Sequence, residues 1–199
     1  MEKGFSYVRL LHAAPLAEPV NVYANDTLIA KNLKYREFTE YLKVKPETYN
    51  IRVVLARDNK TTVLDEKVSF IEGLIYTAAV IEKNELSLEL ITDTEREKYK
   101  DKAGLRFINL SPDSTMFDIY IDNKLVICGM IFKEVSGYLM LNPGTYSMTV
   151  KETSTGKNLL EDPKITVKAG DYYAAYYVGL VTSKPPLQVL IPLEGTSYL

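Results

Sequence analysis

Leu42-Lys43-Val44-Lys45-Pro46-Glu47-Thr48-Tyr49-Asn50-Ile51-Arg52-Val53 decides the fold, because the chain repeats its pattern as Leu139-Met140-Leu141-Asn142-Pro143-Gly144-Thr145-Tyr146-Ser147-Met148-Thr149-Val150. In each version a short apolar-alternating run stops at a proline, which sets a turn and cannot continue a central strand. A strand then resumes. Tyr49, Ile51 and Val53 share one face of it, as do Tyr146, Met148 and Val150, and that face is expected to be the core. A tyrosine opening such a strand can bury its ring and return its hydroxyl to nearby backbone, as in the tyrosine corner of immunoglobulin-like sandwiches. Tyr49, Tyr146, Pro46 and Pro143 are therefore assigned structural roles.

The repetition spreads outward from this stretch at a constant shift of 97 positions. Arg9 falls on Arg106, Pro15 on Pro112, Tyr23 on Tyr120, Glu37 on Glu134, Tyr41-Leu42 on Tyr138-Leu139, Gly73 on Gly170 and Tyr76 on Tyr173, without a gap. Each copy alternates apolar and polar residues in short runs split by turn residues, the period of half-buried strands. In the first copy the expected strands lie near 6–12, 20–24, 27–31, 38–44, 48–55, 61–69, 74–82 and 86–92. Asn25-Asp26, matched by Asp122-Asn123, suits a two-residue hairpin turn at positive φ. The reading is all-β: two tandem immunoglobulin-like antiparallel β-sandwich domains, residues 1–92 and 104–199, joined by a charged linker at 93–103 that has room for a turn or two of helix.

His12-Ala13-Ala14-Pro15, then Val20-Asn21-Val22-Tyr23, then the Pro-Glu-Thr-Tyr turn make the first copy similar to the bacterial domain-of-unknown-function 4397 family. The second copy carries Asn109-Leu110-Ser111-Pro112-Asp113, Asp118-Ile119-Tyr120 and Pro143-Gly144-Thr145-Tyr146, the last nearer the family's usual form. The resemblance covers nearly the whole chain. It implies an immunoglobulin-like sandwich, often in tandem and often on exported or surface proteins, and it brings no established catalytic residues. The opening Met1-Glu2-Lys3-Gly4-Phe5-Ser6 departs from an exported protein, having no basic region followed by an apolar run. A leader removed ahead of it would leave no trace, so the compartment stays open.

Composition narrows the function classes. Lys and Arg number 24 against 26 Asp and Glu, and the balance holds in each copy, with no basic stripe to neutralise phosphates. Nucleic acid is set aside as a partner, as are anionic membrane surfaces. No apolar stretch approaches the length that spans a bilayer, so membrane insertion is not expected. The lone cysteine, Cys128, excludes an internal disulfide and is read as a small buried hydrophobe. His12 is the one histidine, so a Ser-His-Asp or Cys-His constellation would have to use it, and a two-histidine metal site does not exist. It aligns with Asn109, which points to a shared hydrogen-bonding task at a turn. No cofactor, metal or catalytic residue is expected.

Aromatic residues are what could carry binding. There are 15 tyrosines and no tryptophan, and Asp171-Tyr172-Tyr173-Ala174-Ala175-Tyr176-Tyr177-Val178-Gly179 sets four tyrosines in one strand. The first copy has Ile75, Tyr76, Ala79 and Val80 there, so only Tyr173 is repeated. Tyr172, Tyr176 and Tyr177 are the candidate binding residues if a pair faces outward to a sugar, peptide or neighbouring domain; a tyrosine-rich core is the plainer reading. The leading expectation is a non-catalytic structural or protein-interaction module at a cell envelope or spore surface. The alternative is a carbohydrate- or peptide-binding module using those tyrosines.

Overall fold

The structure, a computed structural model, describes residues 2–93 and 99–199. The chain divides into two compact units, Met1–Glu95 and Arg96–Tyr198. Both are all-β sandwiches of the immunoglobulin-like kind.

In the first, β1 (Ser6–His12), β4 (Leu42–Val44), β7 (Ile75–Glu82) and β8 (Leu86–Asp93) form a sheet of order β4-β1-β7-β8. Facing it, β2 (Val20–Ala24), β3 (Thr27–Leu33), β5 (Thr48–Leu55) and β6 (Thr62–Ser69) form β3-β2-β5-β6. The second domain repeats the plan. Its sheets are β12-β9-β15-β16 and β11-β10-β13-β14, built from β9 (Ala103–Asn109), β10 (Phe117–Ile121), β11 (Lys124–Met130), β12 (Leu139–Leu141), β13 (Gly144–Glu152), β14 (Asn158–Val167), β15 (Tyr172–Val178) and β16 (Gln188–Leu190). Among these strands the pairing is antiparallel except at one seam in each domain. There β1 runs parallel to β7, with Tyr7 opposite Ile75 and His12 opposite Val80, and β9 runs parallel to β15. Parallel neighbours need a long crossover connection, and five intervening strands supply it in both copies.

The repeated turn residues explain why both copies fold alike. Asn25 and Asp26, and likewise Asp122 and Asn123, sit at positive φ, which matches the twist of a tight hairpin. The first residue of each turn also ties down the next strand, since Asn25 Oδ1 accepts from Asn50 N–H at 2.8 Å and Asp122 Oδ1 from Ser147 N–H at 2.9 Å. A second pair is equally matched: Asn21 Oδ1 accepts from Asn32 N–H at 2.7 Å, and Asp118 Oδ1 from Gly129 N–H at 2.8 Å.

Three expectations change. The strand expected over 38–44 shortens to Leu42–Val44 because the Thr39 hydroxyl, and not a carbonyl, takes the Leu10 N–H at 2.9 Å. Ser136 does the same for Phe107 in the second domain. Cys128 is exposed, not buried, because β11 is an edge strand whose pairing with β10 is irregular. The linker expected at 93–103 lies for residues 94–98 outside the described residues, while Asp93 and Ala103 are strand and 99–102 are irregular backbone. No helix among the described residues is long and apolar enough to cross a membrane.

Candidate functional site

The end of β1 is where the only histidine lies. His12 is fully buried, its Nε2 meets the Glu18 carbonyl at 3.1 Å and its backbone N–H donates to Glu37 O. Nδ1 and the neighbouring Tyr35 hydroxyl are buried without a hydrogen-bond partner, the two rings standing edge-on at 6.3 Å. Asn109 takes the equivalent place in the second domain: Nδ2 donates to Ser114 Oγ at 2.9 Å and Oδ1 accepts from Ser111 N–H at 3.0 Å. Both side chains hold the loop that leaves the strand. Among the described residues no three His, Cys, Asp or Glu side chains gather to hold a metal.

Burial lowers the His12 pKa, against the smaller opposing pull of the Glu18 carbonyl and the Glu82 and Glu37 carboxylates. Its folded-state pKa thus lies below the unfolded value of about 6.5. The resulting stability is fully present above that value and is lost as pH falls through it toward the folded pKa, because the unfolded chain takes up the proton first. Urea midpoints are therefore expected to fall more steeply from pH 7 to pH 5 in the native chain than in His12→Asn, which borrows the second domain's solution. Parallel slopes would show that burial does not hold His12 neutral.

The four-tyrosine strand is not a surface. As alternation requires, Tyr173 and Tyr177 point to the core and Tyr172 and Tyr176 to the opposite face, yet Tyr172, Tyr176 and Tyr177 are 2%, 0% and 0% exposed. They do not form the exposed patch expected for binding. β15 is an interior strand between β9 and β16, and each ring has a packing partner or a closed surrounding. Tyr177 meets Phe117 edge-on at 5.2 Å and points its hydroxyl at Met148 Sδ. Tyr172 meets Tyr138 edge-on at 5.1 Å and lies over Gly104. The C-terminal stretch runs alongside, where Glu194 N–H donates to Tyr172 O and the buried Glu194 carboxylate accepts from Arg106 Nε at 2.6 Å.

Tyr49 and Tyr146 occupy corner positions, but only half-buried. Each hydroxyl donates to a carbonyl four residues upstream, Tyr49 to Lys45 O at 3.3 Å and Tyr146 to Asn142 O at 2.8 Å. Pro46 and Pro143 sit exposed in the intervening turns. Because water can replace the bond at these exposed carbonyls, Tyr146→Phe is expected to cost only about 0.5–1 kcal/mol in urea unfolding. The better buried repeated pair is Tyr76 and Tyr173, whose hydroxyls accept from Ile71 N–H and Lys168 N–H, both at 3.2 Å.

The recess suited to a ligand lies in the first domain, between its two sheets. β6 and β8 come together along one side of that sandwich, whereas on the other side edge strands β3 and β4 leave a cavity of about 520 Å³. Its walls are apolar, among them Val8, Leu10, Ile29, Leu42, Ile51 and Phe70, and Asn25, Thr27, Lys43, Lys45 and Glu47 stand along its lining. The volume falls within the range of small-molecule sites, on the order of 300–1,000 Å³. At the shift of 97 the same positions are bulkier in the second domain: Leu105 for Val8, Phe107 for Leu10 and Ile121 for Ala24. Deeper in that core Phe117 and Tyr177 replace Val20 and Val80. Phe70 against Val167 is an exchange in the other direction. The sequence marked none of these residues as part of a ligand site, although reading the repeat for differences in side-chain volume, not for identities, points to the cleft.

No curated protein matches the chain. Among solved structures, a carbohydrate-binding module (family CBM26) from Eubacterium rectale Amy13K in complex with maltoheptaose aligns at 11% identity over 96% of this chain and 99% of its own, with a TM-score of 0.29. The profile described as Domain of unknown function (DUF4397) matches residues 6–120 and again 103–194. The repeated turns, the matched side-chain ties and this double match lead to one statement: the chain belongs to the DUF4397 family and carries its domain twice.

Proposed function

We propose that this chain is a non-catalytic interaction module in which the first domain binds a small apolar ligand between its sheets and the second, with its bulkier core, serves as scaffold. The observation that carries the reading is the 520 Å³ cavity opening where the first repeat replaces Phe107 and Ile121 by Leu10 and Ala24. An open apolar recess leaves the side chains that line it facing water instead of one another, and an apolar ligand seated there would cover them. The carbohydrate alternative, as first framed on Tyr172, Tyr176 and Tyr177, lacks the exposed rings on which a sugar would stack.

The test is a titration of the full chain with the fluorescent probe N-phenyl-1-naphthylamine. Saturable binding near one equivalent is expected. The double variant Leu10→Phe with Ala24→Ile, which installs the second domain's residues, is expected to abolish binding while raising the thermal midpoint. Equal binding by the filled variant, or no saturation by the native chain, would refute the reading.

A further inference from the structure

The chemistry at the mouth of the cleft narrows its ligand, granting that the cleft is a binding site as proposed above. β4 alternates Leu42 and Val44 into the lining with Lys43 between them, and Lys45 follows on the turn. The two ammonium groups are not equivalent. Lys43 is ion-paired with Glu2 and lies 3.9 Å over the Phe5 ring, so its charge is largely answered. Lys45 is exposed and has no ion-pair partner among the described residues. Burial raises the pKa of the Tyr49 phenol, and the charge of Glu47, which also stands along the lining, adds to it.

The repeat supplies a second, independent indication. Lys43 and Lys45 correspond to Met140 and Asn142 in the second domain, and the residues that open the cleft correspond to Phe107 and Ile121. The small residues that open the cleft and the two lysines of its lining are thus both replaced at the matching positions of the second domain. If the lysines served only to keep edge strand β4 soluble, the second domain's equivalent edge strand, β12, would need them too. It instead exposes Met140.

The walls also discriminate. Beside the rings of Phe5, Tyr49 and Phe70, most of the apolar lining on both sheets is branched aliphatic, as at Leu10, Ile29 and Leu42, and the gap between packed sheets is about 10 Å. A flexible alkyl chain can follow such a slot and contact both sheets along its length. From the aliphatic walls and the unanswered cation at the mouth we infer that the first-domain cleft takes a free single-chain alkyl carboxylate, its chain between the sheets and its carboxylate at Lys45.

The experiment displaces N-phenyl-1-naphthylamine from the full chain with dodecanoate, dodecanol and dodecyltrimethylammonium, each below its micelle concentration, at pH 8. Dodecanoate is expected to bind about fivefold more tightly than dodecanol, the gain of one exposed ion pair, with the cation weakest. In Lys45→Gln the dodecanoate advantage is expected to vanish while dodecanol binding stays unchanged, and an unchanged thermal midpoint establishes that the variant is folded. If dodecanol or the cation matches dodecanoate on the native chain, the carboxylate inference is overturned and the apolar cleft stands. If the probe binds but none of the three displaces it, the alkyl-chain inference is overturned with the cleft still a site. If the probe itself does not bind, both readings fall together.

Discussion

Gly179→Ala is expected to cost about 3 kcal/mol. Gly179 follows β15 directly and has φ of +94°, a backbone conformation that a β-carbon disfavours. The added carbon would also lie 2.3 Å from the Pro186 carbonyl oxygen and 2.9 Å from its carbon. Those are backbone atoms, held in place because Leu180 N–H donates to Pro185 O at 2.9 Å, so no side-chain rotation relieves the clash. Moving Gly179 instead would strain its carbonyl's bond from Ser111 Oγ, 2.8 Å long and buried. Strain at positive φ contributes roughly 1–2 kcal/mol and overpacking roughly 1–3. Chemical unfolding of the purified variant measures the sum. A loss under about 1 kcal/mol would mean that the 180–186 loop yields easily.

That position illustrates what a repeat conceals. Gly179 corresponds to Glu82 in the first domain, so the comparison that exposed the shared framework says nothing of it. Features needed by every copy were legible: Asn25-Asp26 and Asp122-Asn123 announce their turns because positive φ restricts the residue types tolerated there. Their flanking strands fall within a residue or two of where alternation places them. Cys128 was misjudged because composition carries no information on which strand is an edge, and an edge strand with irregular pairing exposes what an interior one would bury. For the tyrosines of β15 the sequence left a core and an outward-facing pair both open, and burial favours the core. Alternation assigns side chains to faces, but it does not say whether a face is covered.

The cleft was illegible for another reason still. A void is a property of summed side-chain volumes on two sheets, and no single position in it is unusual: Leu10, Ala24 and Val8 are ordinary core residues. Only the internal comparison shows that the same backbone plan accommodates Phe107, Ile121 and Leu105 in their places. The second domain thus serves as the reference state for the first. This is also why the filling variants are informative, since each introduces a residue that the fold is already known to hold.

Gly104 and Tyr172 show the same complementarity in the other direction and yield the last expected result. They face each other across the parallel β9–β15 seam, as Tyr7 and Ile75 do across β1–β7, so the large ring has changed strands between the two domains. With Tyr172 lying over it, Gly104 has no room for a side chain: its β-carbon would fall 2.4 Å from Tyr172 Cδ1, 2.6 Å from Cε1 and 3.0 Å from Tyr138 Cδ1. The Tyr172 ring is 2% exposed and edge-on to Tyr138, so it cannot swing clear without disturbing a second aromatic. Gly104→Ala alone is expected to cost about 2 kcal/mol by overpacking, somewhat offset because alanine loses less backbone entropy on folding. Tyr172→Ile alone is expected to cost about as much through the void it leaves over Gly104. Together they should cost clearly less than the sum, with a coupling of at least about 1 kcal/mol, because the isoleucine frees the space that the alanine needs. Denaturant midpoints of the two single variants and the double variant close the cycle. Strict additivity would mean that the Tyr172 ring is not held by Gly104 and that the seam relaxes around each change independently.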